Sequence, residues 1–350
     1  MNSNGLLLST GLSARIIATT GKFVQYRNGQ TSSVRFHGRP DFGATFPDRN
    51  PFNPGGWIYT SNSEGKEVGS GGVGAITFDR NGNVLDYKVL LKGTTMNCGG
   101  GRTPWNTWIS CEEFGARGQV YQVDPSGKRT AEKTVLGAQG GAFESFSYDV
   151  RNQSMPRFFV TEDADTGALR RFTPLQPNWD DPWTMLHGDG TLEYLVLEPT
   201  GNGKGNYDWV SDVGTAKSNA AKYYPNSEGI DVLGSHLYFV CKKIKQLFVL
   251  DLDNGTYTNS TTANGLFDGK PDQMSHIIGG DEEVLYFTEE GGNNPGVHGR
   301  SAQGFYYTIL EGQQYKDETS GLAWDPSGHH LYVAYQDRGY VLCDGFLNNK

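Results

Sequence analysis

The sequence lacks any apolar run long enough to cross a membrane. The early run from Gly5 to Ser9 is too short for a signal peptide and has no basic flank. There is also no cluster of Lys and Arg, and the 350 residues carry a formal net charge of -9, which argues against a nucleic-acid-binding surface. We therefore expect no membrane span and no nucleic-acid partner, whereas an acidic chain suits bound cations. The compartment and the oligomeric state stay open.

Cysteine is scarce. The chain has only four cysteines, and they do not form a close-spaced zinc motif. Cys111 and Cys241 lie within apolar runs, as small buried hydrophobic side chains do. Cys98 instead lies in a glycine-rich segment, which we interpret as a loop whose backbone can come close to a bound ion. The chain also lacks a serine-nucleophile elbow, a Walker loop and an EF-hand loop.

No stretch shows the sustained 3.6-residue apolar period of a long amphipathic helix, and β-branched and aromatic residues dominate the apolar runs. Instead, a short apolar run followed by a polar or acidic cap recurs six times. These runs are Trp57 to Glu64, Thr107 to Glu113, Phe158 to Asp163, Leu237 to Lys243, Leu285 to Glu290 and Leu331 to Asp337. Their starts fall roughly 50 residues apart, except for one longer gap, and this period matches a four-stranded propeller blade.

We therefore predict an all-β fold, a six-bladed β-propeller. Turn sequences rich in Asp and Gly predict hairpins between its strands, and they begin at Asp79, Asp124, Asp251 and Asp325. The run from Ala14 to Val24 has no blade of its own, so we expect it to supply the outer strand of the last blade. No low-complexity linker interrupts the array, which predicts one domain over residues 1–350 with an insertion around 176–223.

In an antiparallel blade the start of the first strand and the end of the second strand lie at the same end of the sheet. Most residues at these positions are potential metal ligands. The first-strand starts are Asp41, Cys98, Glu144, Glu228, Asp272 with His276, and Glu318. The second-strand ends are Glu64, Glu113, Glu162 with Asp163, Lys243, Glu289 with Glu290, and Asp337. Carboxylates crowded at one channel mouth would repel each other, so bound cations are the simplest resolution.

Any single one of these acidic residues is also explained as a solvated turn, and it is their recurrence in register that favours a metal site. Carboxylate oxygens prefer hard cations such as Ca²⁺, while the Cys98 thiolate suits a transition metal. The predicted metal ligands are Cys98, Glu64, Glu113, Glu144, Glu162, Glu228 and Glu289. Arg170 and Arg171, which follow one acidic loop, are expected on a solvated face.

The segment from Asn97 to Glu113 closely resembles the signature of the PhoX-type alkaline phosphatases. Asparagine, cysteine, a small residue and two glycines are followed by Thr-Pro-Trp, Thr-Trp and Cys-Glu-Glu. Shorter elements follow in the family's order, and they are Ser61 to Glu64, Gly141 to Ser145, Thr161 to Asp165 and Asn226 to Gly229. The resemblance spans most of the chain and weakens toward its C-terminal end.

The resemblance implies a six-bladed propeller whose channel mouth holds calcium and iron as cofactors and hydrolyses phosphate esters. It implies that Cys98 ligates iron, and that Glu113, Glu144, Glu162 and Glu228 hold iron or calcium. The partner would be a small-molecule phosphate ester. The same resemblance suggests a periplasmic or extracellular location.

The chain departs from the family pattern at three points. Ser63 stands where the family has histidine, Glu144 lacks the family's preceding histidine, and Asn226 stands where an arginine is expected. Arg102, within the glycine-rich segment, could replace the lost cation and bind phosphate through two parallel hydrogen bonds. The alternative is a surface arginine or one paired with Glu112. We therefore predict positions 102 and 226 as the substrate contacts.

Two further hypotheses stay open. One is a non-catalytic, calcium-binding β-propeller that serves as an interaction scaffold. The other is a calcium-dependent propeller lactonase or esterase, whose chemistry gives no role to Cys98. The phosphatase hypothesis needs no side-chain nucleophile, because polyvalent cations neutralise the phosphoryl oxygens and orient an oxygen nucleophile.

Overall fold

The computed structural model describes residues 5–263, 265–277, 284–315, 318–336 and 339–344. Antiparallel strands make up nearly all of its regular structure, and one α-helix occurs in these ranges. The predicted all-β class is therefore confirmed. No helix in the described ranges is both long and apolar enough to span a membrane. The chain divides into two compact units: unit 1 comprises residues 1–98, 123–131 and 265–350, and unit 2 comprises 99–122 and 132–264.

Unit 1 contains three antiparallel sheets and one hairpin. The first sheet comprises Pro40–Pro47, Trp57–Ser63, Gly71–Phe78 and Val84–Thr94. The second comprises Lys270–Ser275, Leu285–Glu290, Gly296–Arg300 and Tyr306–Glu311, with Leu7–Leu8 at its edge. The third comprises Thr319–Trp324, Leu331–Tyr335 and Tyr340–Asp344, with Arg15–Thr19 at its edge. The hairpin pairs Phe23–Gln25 with Thr31–Arg35.

Unit 2 contains most of a four-stranded sheet and the whole of a nine-stranded sheet. The four-stranded sheet comprises Asn97–Arg102, Trp108–Glu112, Val120–Val123 and Glu132–Lys133. The nine-stranded sheet contains two runs of four strands. The first run is Phe143–Asp149, Arg157–Glu162, Arg170–Pro174 and Gly190–Gly201, and the second is Ser227–Leu233, His236–Cys241, Gln246–Asp251 and Thr256–Thr261. The ninth strand, Lys204–Val210, joins the two runs by pairing with Thr256–Thr261.

Short helices complete unit 2. The α-helix Val213–Tyr223 begins after Asp212, whose side chain accepts hydrogen bonds from the backbone N–H groups of Gly214 and Thr215. Such a cap satisfies donors that the first helical turn leaves without partners. The 3₁₀ helices are Gly115–Arg117, Val135–Gly137 and Pro182–Leu186. The α-helix and the last 3₁₀ helix lie within residues 176–223, where we predicted an insertion.

The N-terminal strand pairs with the other end of the chain. Arg15–Thr19 runs antiparallel to Tyr340–Asp344, with Arg15 opposite Cys343 and Thr19 opposite Tyr340. This confirms that the run from Ala14 to Val24 supplies the outer strand of the last sheet. Six successive four-stranded runs follow along the described chain, while their closure into one ring, and the single domain, stay predictions.

The Asp/Gly turns form where the sequence predicts them. In the turn after Thr319–Trp324, Asp325 Oδ1 accepts from the backbone N–H groups of His329 and His330 at 2.8 and 2.7 Å. Burial alone would raise the pKa of Asp325, but these bonds and others from the His330 and Ser327 side chains lower it to about 2. The aspartate therefore satisfies several backbone donors of its own turn, which is why this residue type suits the position.

Large apolar side chains fill the interior of each unit. In unit 2, one cluster centres on Phe143, Phe146 and Phe158, and a second on Phe239 and Phe248. The phenylalanines at 239 and 248 stack at a centroid distance of 4.9 Å. Packed aromatic pairs of this kind stabilise the strands that carry the acidic residues.

Candidate metal centre

A β-bulge interrupts the first strand of five four-stranded runs, always just after the strand begins. The pairing registers shift between Pro40 and Gly43, Phe143 and Phe146, Ser227 and Ile230, Pro271 and Met274, and Ser320 and Ala323. Bulges of this kind change the direction of a side chain and often occur beside active sites. The sequence pattern predicts the strand starts but not these bulges.

Four of the five bulges contain an acidic residue. These are Asp41, Glu144, Glu228 and Asp272, and their exposed fractions are 0, 1, 1 and 6%. Acidic residues are rarely buried to this degree unless they are paired or bind a metal. The first-strand acids are therefore candidates for metal binding, as are the equally buried Glu64, Glu162 and Glu289 at second-strand ends.

In unit 2, Glu144 lies close to two further carboxylates. An oxygen of Glu144 lies within 4.8 Å of an oxygen of Glu113, and an oxygen of Glu144 also lies within 4.8 Å of one of Glu228. Glu113 follows the strand Trp108–Glu112 and bridges to Ala142 through the backbone. The structure thus brings two of the predicted ligands, Glu113 and Glu228, each close to a third, Glu144.

Three consecutive glycines allow a neighbouring strand to lie against these acids. A Cβ atom on Gly99 would lie 2.0 Å from the backbone oxygen of Glu144, and one on Gly101 would lie 2.0 Å from that of Phe146. Only glycine fits at such distances. The predicted glycine-rich loop is wrong, since Asn97–Arg102 is a strand, and its glycines permit the close approach of another strand.

Lys242 places its ammonium between two acids of unit 2. Its Nζ lies 2.7 Å from Asp163 Oδ2 and 2.8 Å from Glu228 Oε1. Asn226 adopts a positive φ of 55° and donates from Nδ2 to Asp163 Oδ1 at 2.7 Å. The sequence pattern points to Lys243 at this strand end, but Lys243 pairs with the exposed Asp165. The strand ends at Cys241, and the residue that reaches the acids is Lys242, which follows the strand directly.

Glu162 ends its strand in a buried ion pair with Arg170. The guanidinium NH2 lies 3.4 Å from Glu162 Oε2, and the two side chains are only 4% and 7% exposed. The same guanidinium donates to the backbone oxygen of Gly140 at 2.8 Å and lies over the ring of Phe143. The expectation of a solvated face for this arginine is therefore wrong. Arg171 pairs with Glu193 and is half-buried.

In unit 1, Glu64 also pairs with an arginine. Arg39 donates to Glu64 Oε2 from Nε at 3.0 Å and from NH2 at 2.6 Å. The Arg39 guanidinium also donates to the side chain of Gln336, which in turn donates to Asp41 Oδ2 at 3.0 Å. Glu64 thus belongs to a hydrogen-bonded network within its own unit.

Asp41 is the centre of that network. Its Oδ1 accepts hydrogen bonds from Ser320 Oγ and from Gln273 Nε2, the latter at 2.7 Å. Burial and, to a smaller degree, the nearby Glu64 carboxylate raise the pKa of the Asp41 carboxyl to about 6, although hydrogen bonds from Ser320, Cys98 and Gln273 act in the opposite direction. Cys98 therefore lies beside a carboxylate, on the strand that continues into Gly99.

Glu289 is fully buried and accepts several hydrogen bonds within unit 1. His298 Nε2 lies 3.2 Å from its Oε2, and the backbone N–H of Gly296 donates to the same oxygen at 3.2 Å. The backbone N–H of Gly269 donates to its other oxygen. Its role as a metal ligand stays a prediction. Asp337, another predicted strand-end acid, lies outside the described residues.

Arg102 ends the strand Asn97–Arg102, four residues beyond Cys98. At about 3.3 Å per residue, that separation is roughly 13 Å along the strand. Its guanidinium donates to the side chain of Asn106, and its charge acts on Tyr148. Glu144 packs against the same strand at Gly99, and the role of Arg102 as a substrate contact stays a prediction.

The three carboxylates of unit 2 fit a hard cation. Glu113, Glu144 and Glu228 offer only oxygen donors, as calcium prefers. Two of them are almost fully buried, where an isolated negative charge is costly and a cation offsets the cost. The donor set therefore suits a hard cation.

One family model matches part of the chain. The family model for "Alkaline phosphatase PhoX" matches residues 82–155, which include Cys98, Glu113 and Glu144. The structure is similar to Pseudomonas fluorescens PhoX in complex with vanadate, a transition-state analogue, with a TM-score of 0.78 at 14% identity, covering 98% of this chain and 96% of that one. The resemblance predicted from the segment Asn97 to Glu113 is therefore confirmed.

Other similar structures are more distant. A catalytically inactive virginiamycin B lyase from Staphylococcus aureus with quinupristin gives a TM-score of 0.48 at 12% identity, covering 96% of this chain and 100% of that one. A β-propeller domain from Myceliophteria thermophila gives 0.48 at 11% identity, covering 89% and 97%. No curated protein sequence matches the chain.

Proposed function

We propose that this chain, which resembles the PhoX-type alkaline phosphatases, hydrolyses phosphate esters at a metal centre built on Glu113, Glu144 and Glu228. The proposal is carried by Glu144, whose oxygens lie within 4.8 Å of both other carboxylates. Glu113 and Glu144 also fall inside the segment that the family model matches. The substrate would be a small-molecule phosphate ester.

The cations would be calcium and iron. Calcium suits the three carboxylates, and the family resemblance assigns iron to Cys98. When bound, these cations neutralise the phosphoryl oxygens, orient an oxygen nucleophile in line and stabilise the leaving oxygen. No side-chain nucleophile is then required.

The residues around the carboxylates hold them in place. Lys242 binds Glu228 at 2.8 Å, and Thr161 donates to the backbone oxygen of Glu228 at 2.6 Å. Asn226 fixes Asp163 from the other side. Preorganisation of this kind reduces the reorganisation that cation binding would need.

The test is release of inorganic phosphate from a chromogenic phosphate monoester. Protein as purified should be active, should lose activity on chelation, and should regain it when calcium and iron are restored. Vanadate, the ligand of the Pseudomonas fluorescens PhoX structure, should inhibit. If calcium raises the melting temperature but the metal-loaded protein releases no phosphate from mono- or diesters, the scaffold hypothesis is the better one. If the protein cleaves lactones or carboxylic esters instead of phosphate esters, the esterase hypothesis replaces the phosphatase proposal.

A further inference from the structure

We propose that Lys242 binds the phosphate group of the substrate and supplies the positive charge that the family resemblance assigns to position 226. This inference rests on the proposed function and names a substrate-binding residue for it. The sequence pattern offers Arg102 as the replacement cation, whereas Lys242 lies next to Asn226 in the structure.

The position of the Lys242 ammonium is fixed by two acids. Asp163 Oδ2 and Glu228 Oε1 lie 2.7 and 2.8 Å from Nζ, and their side chains are 9% and 2% exposed. The lysine side chain is 21% exposed, so it lies where the buried acids meet solvent. An ammonium has three N–H donors arranged tetrahedrally, and the two carboxylates fix the orientation of the group. An anion arriving from solvent therefore meets a positively charged group that is already oriented.

The lysine is also adjacent to position 226. The backbone N–H of Lys242 donates to the backbone oxygen of Asn226 at 3.1 Å, and both side chains contact Asp163. A charge lost at residue 226 can thus be supplied from the next strand at nearly the same place. Asn226 itself is suited to its positive φ, a conformation that asparagine tolerates better than arginine does.

The surrounding charge explains why phosphate would bind only alongside metal. Glu228, Glu144 and Asp163 are acidic, and one ammonium does not balance them. A phosphate dianion would be repelled until cations occupy the carboxylates. Lys242 would then add a charge-assisted hydrogen bond to a phosphate oxygen.

The neighbouring residue provides a matched control. Lys243 has the same side chain and pairs with Asp165, but that pair is 53% and 70% exposed. Lys242→Met and Lys243→Met remove the same charge one residue apart. Lys242→Arg keeps the charge, and Arg102→Ala tests the rival assignment.

The experiment measures binding of inorganic phosphate to metal-loaded protein by calorimetry, with calcium and iron content determined for each variant. We expect Lys242→Met to weaken phosphate binding by about tenfold or more, and Lys243→Met and Arg102→Ala to stay within about twofold of wild type. Lys242→Arg should retain most of the affinity. In steady-state assays the loss should appear in kcat/KM for the phosphate ester.

Several results overturn the inference. The first is a folded, metal-replete Lys242→Met protein that binds phosphate with wild-type affinity. The second is a loss of phosphate affinity in Arg102→Ala alone. The third is a metal-loaded wild-type protein that binds no phosphate. If Lys242→Met does not fold, Lys242→Gln takes its place, and wild-type phosphate affinity in that folded, metal-replete variant also overturns the inference. Phosphate binding that depends on Lys242 in a protein without ester hydrolysis would uphold the inference while refuting the proposed function.

Discussion

Glu144 and Glu228 bring carboxylate oxygens to within 4.8 Å of each other, although the two side chains are each only 1% exposed. Two like charges at this distance repel by about 3 kcal/mol at an effective dielectric constant of about 20. Lys242 offsets part of that repulsion through Glu228. The fold therefore keeps an arrangement that a bound cation would stabilise.

Glu144→Gln should stabilise the metal-free protein and remove its response to calcium. The neutral amide has nearly the same shape and eliminates the like-charge contacts with Glu113 and Glu228. We expect the free energy of unfolding without metal to rise by about 1–3 kcal/mol, and the calcium-dependent rise in melting temperature to shrink. Chemical denaturation with and without chelator measures both quantities.

Glu198→Gln is the control, because Glu198 lies in the same unit on the strand Gly190–Gly201 and is exposed. It should leave stability and calcium response unchanged. A Glu144→Gln protein with the wild-type calcium response would argue against metal binding at this carboxylate.

Arg170→Met should be strongly destabilising. It leaves the Glu162 carboxylate, 7% exposed on its side chain, without the guanidinium that lies 3.4 Å away. Breaking a buried pair by removing one partner typically costs about 3–5 kcal/mol. Arg171→Met, which breaks the more exposed pair with Glu193, should cost about 1 kcal/mol.

Urea denaturation of both variants measures the difference, and the double variant Glu162→Gln/Arg170→Met should recover part of the loss. Equal costs for Arg170→Met and Arg171→Met would contradict a buried pair at position 162.

Asp325→Asn should lower stability at neutral pH more than at acidic pH. Hydrogen bonds in its turn outweigh burial and lower the folded pKa of Asp325 from 3.8 to about 2. A carboxyl group whose pKa is lower in the folded state than in the unfolded state stabilises the fold when the pH is above the unfolded-state pKa. That contribution is lost as the pH falls through the folded-state pKa. We expect a cost of about 1–3 kcal/mol at pH 7 that diminishes below about pH 4. Urea denaturation at several pH values checks this, and a cost independent of pH would contradict it.

Local signals explain what the sequence predicted well. Aspartate and glycine determine turn geometry within a few residues, so the turn at Asp325 could be located from composition alone. The six capped runs all contain strands because β-branched and aromatic residues alternate with turn signals. The pairing of Arg15–Thr19 with Tyr340–Asp344 followed from the one strand that the repeat left unassigned.

The missed features depend on tertiary structure. The bulges beside Glu144 and Glu228 are defined by pairing with another strand, so the residues alone do not reveal them. Arg170 resembles a surface arginine until its strand packs beside Phe143 and Glu162. Lys242 and Lys243 look alike in sequence. Only the end of the strand at Cys241 decides that Lys242 is the one that reaches Asp163 and Glu228.

The most direct test of the account is the rate of phosphate-monoester hydrolysis by Glu144→Gln, measured beside wild type and Glu198→Gln at equal calcium and iron. The account predicts that kcat/KM of Glu144→Gln falls by about 100-fold or more, together with its metal content, while Glu198→Gln keeps wild-type values. A folded Glu144→Gln protein with full metal content and kcat/KM within about threefold of wild type would contradict the central claim.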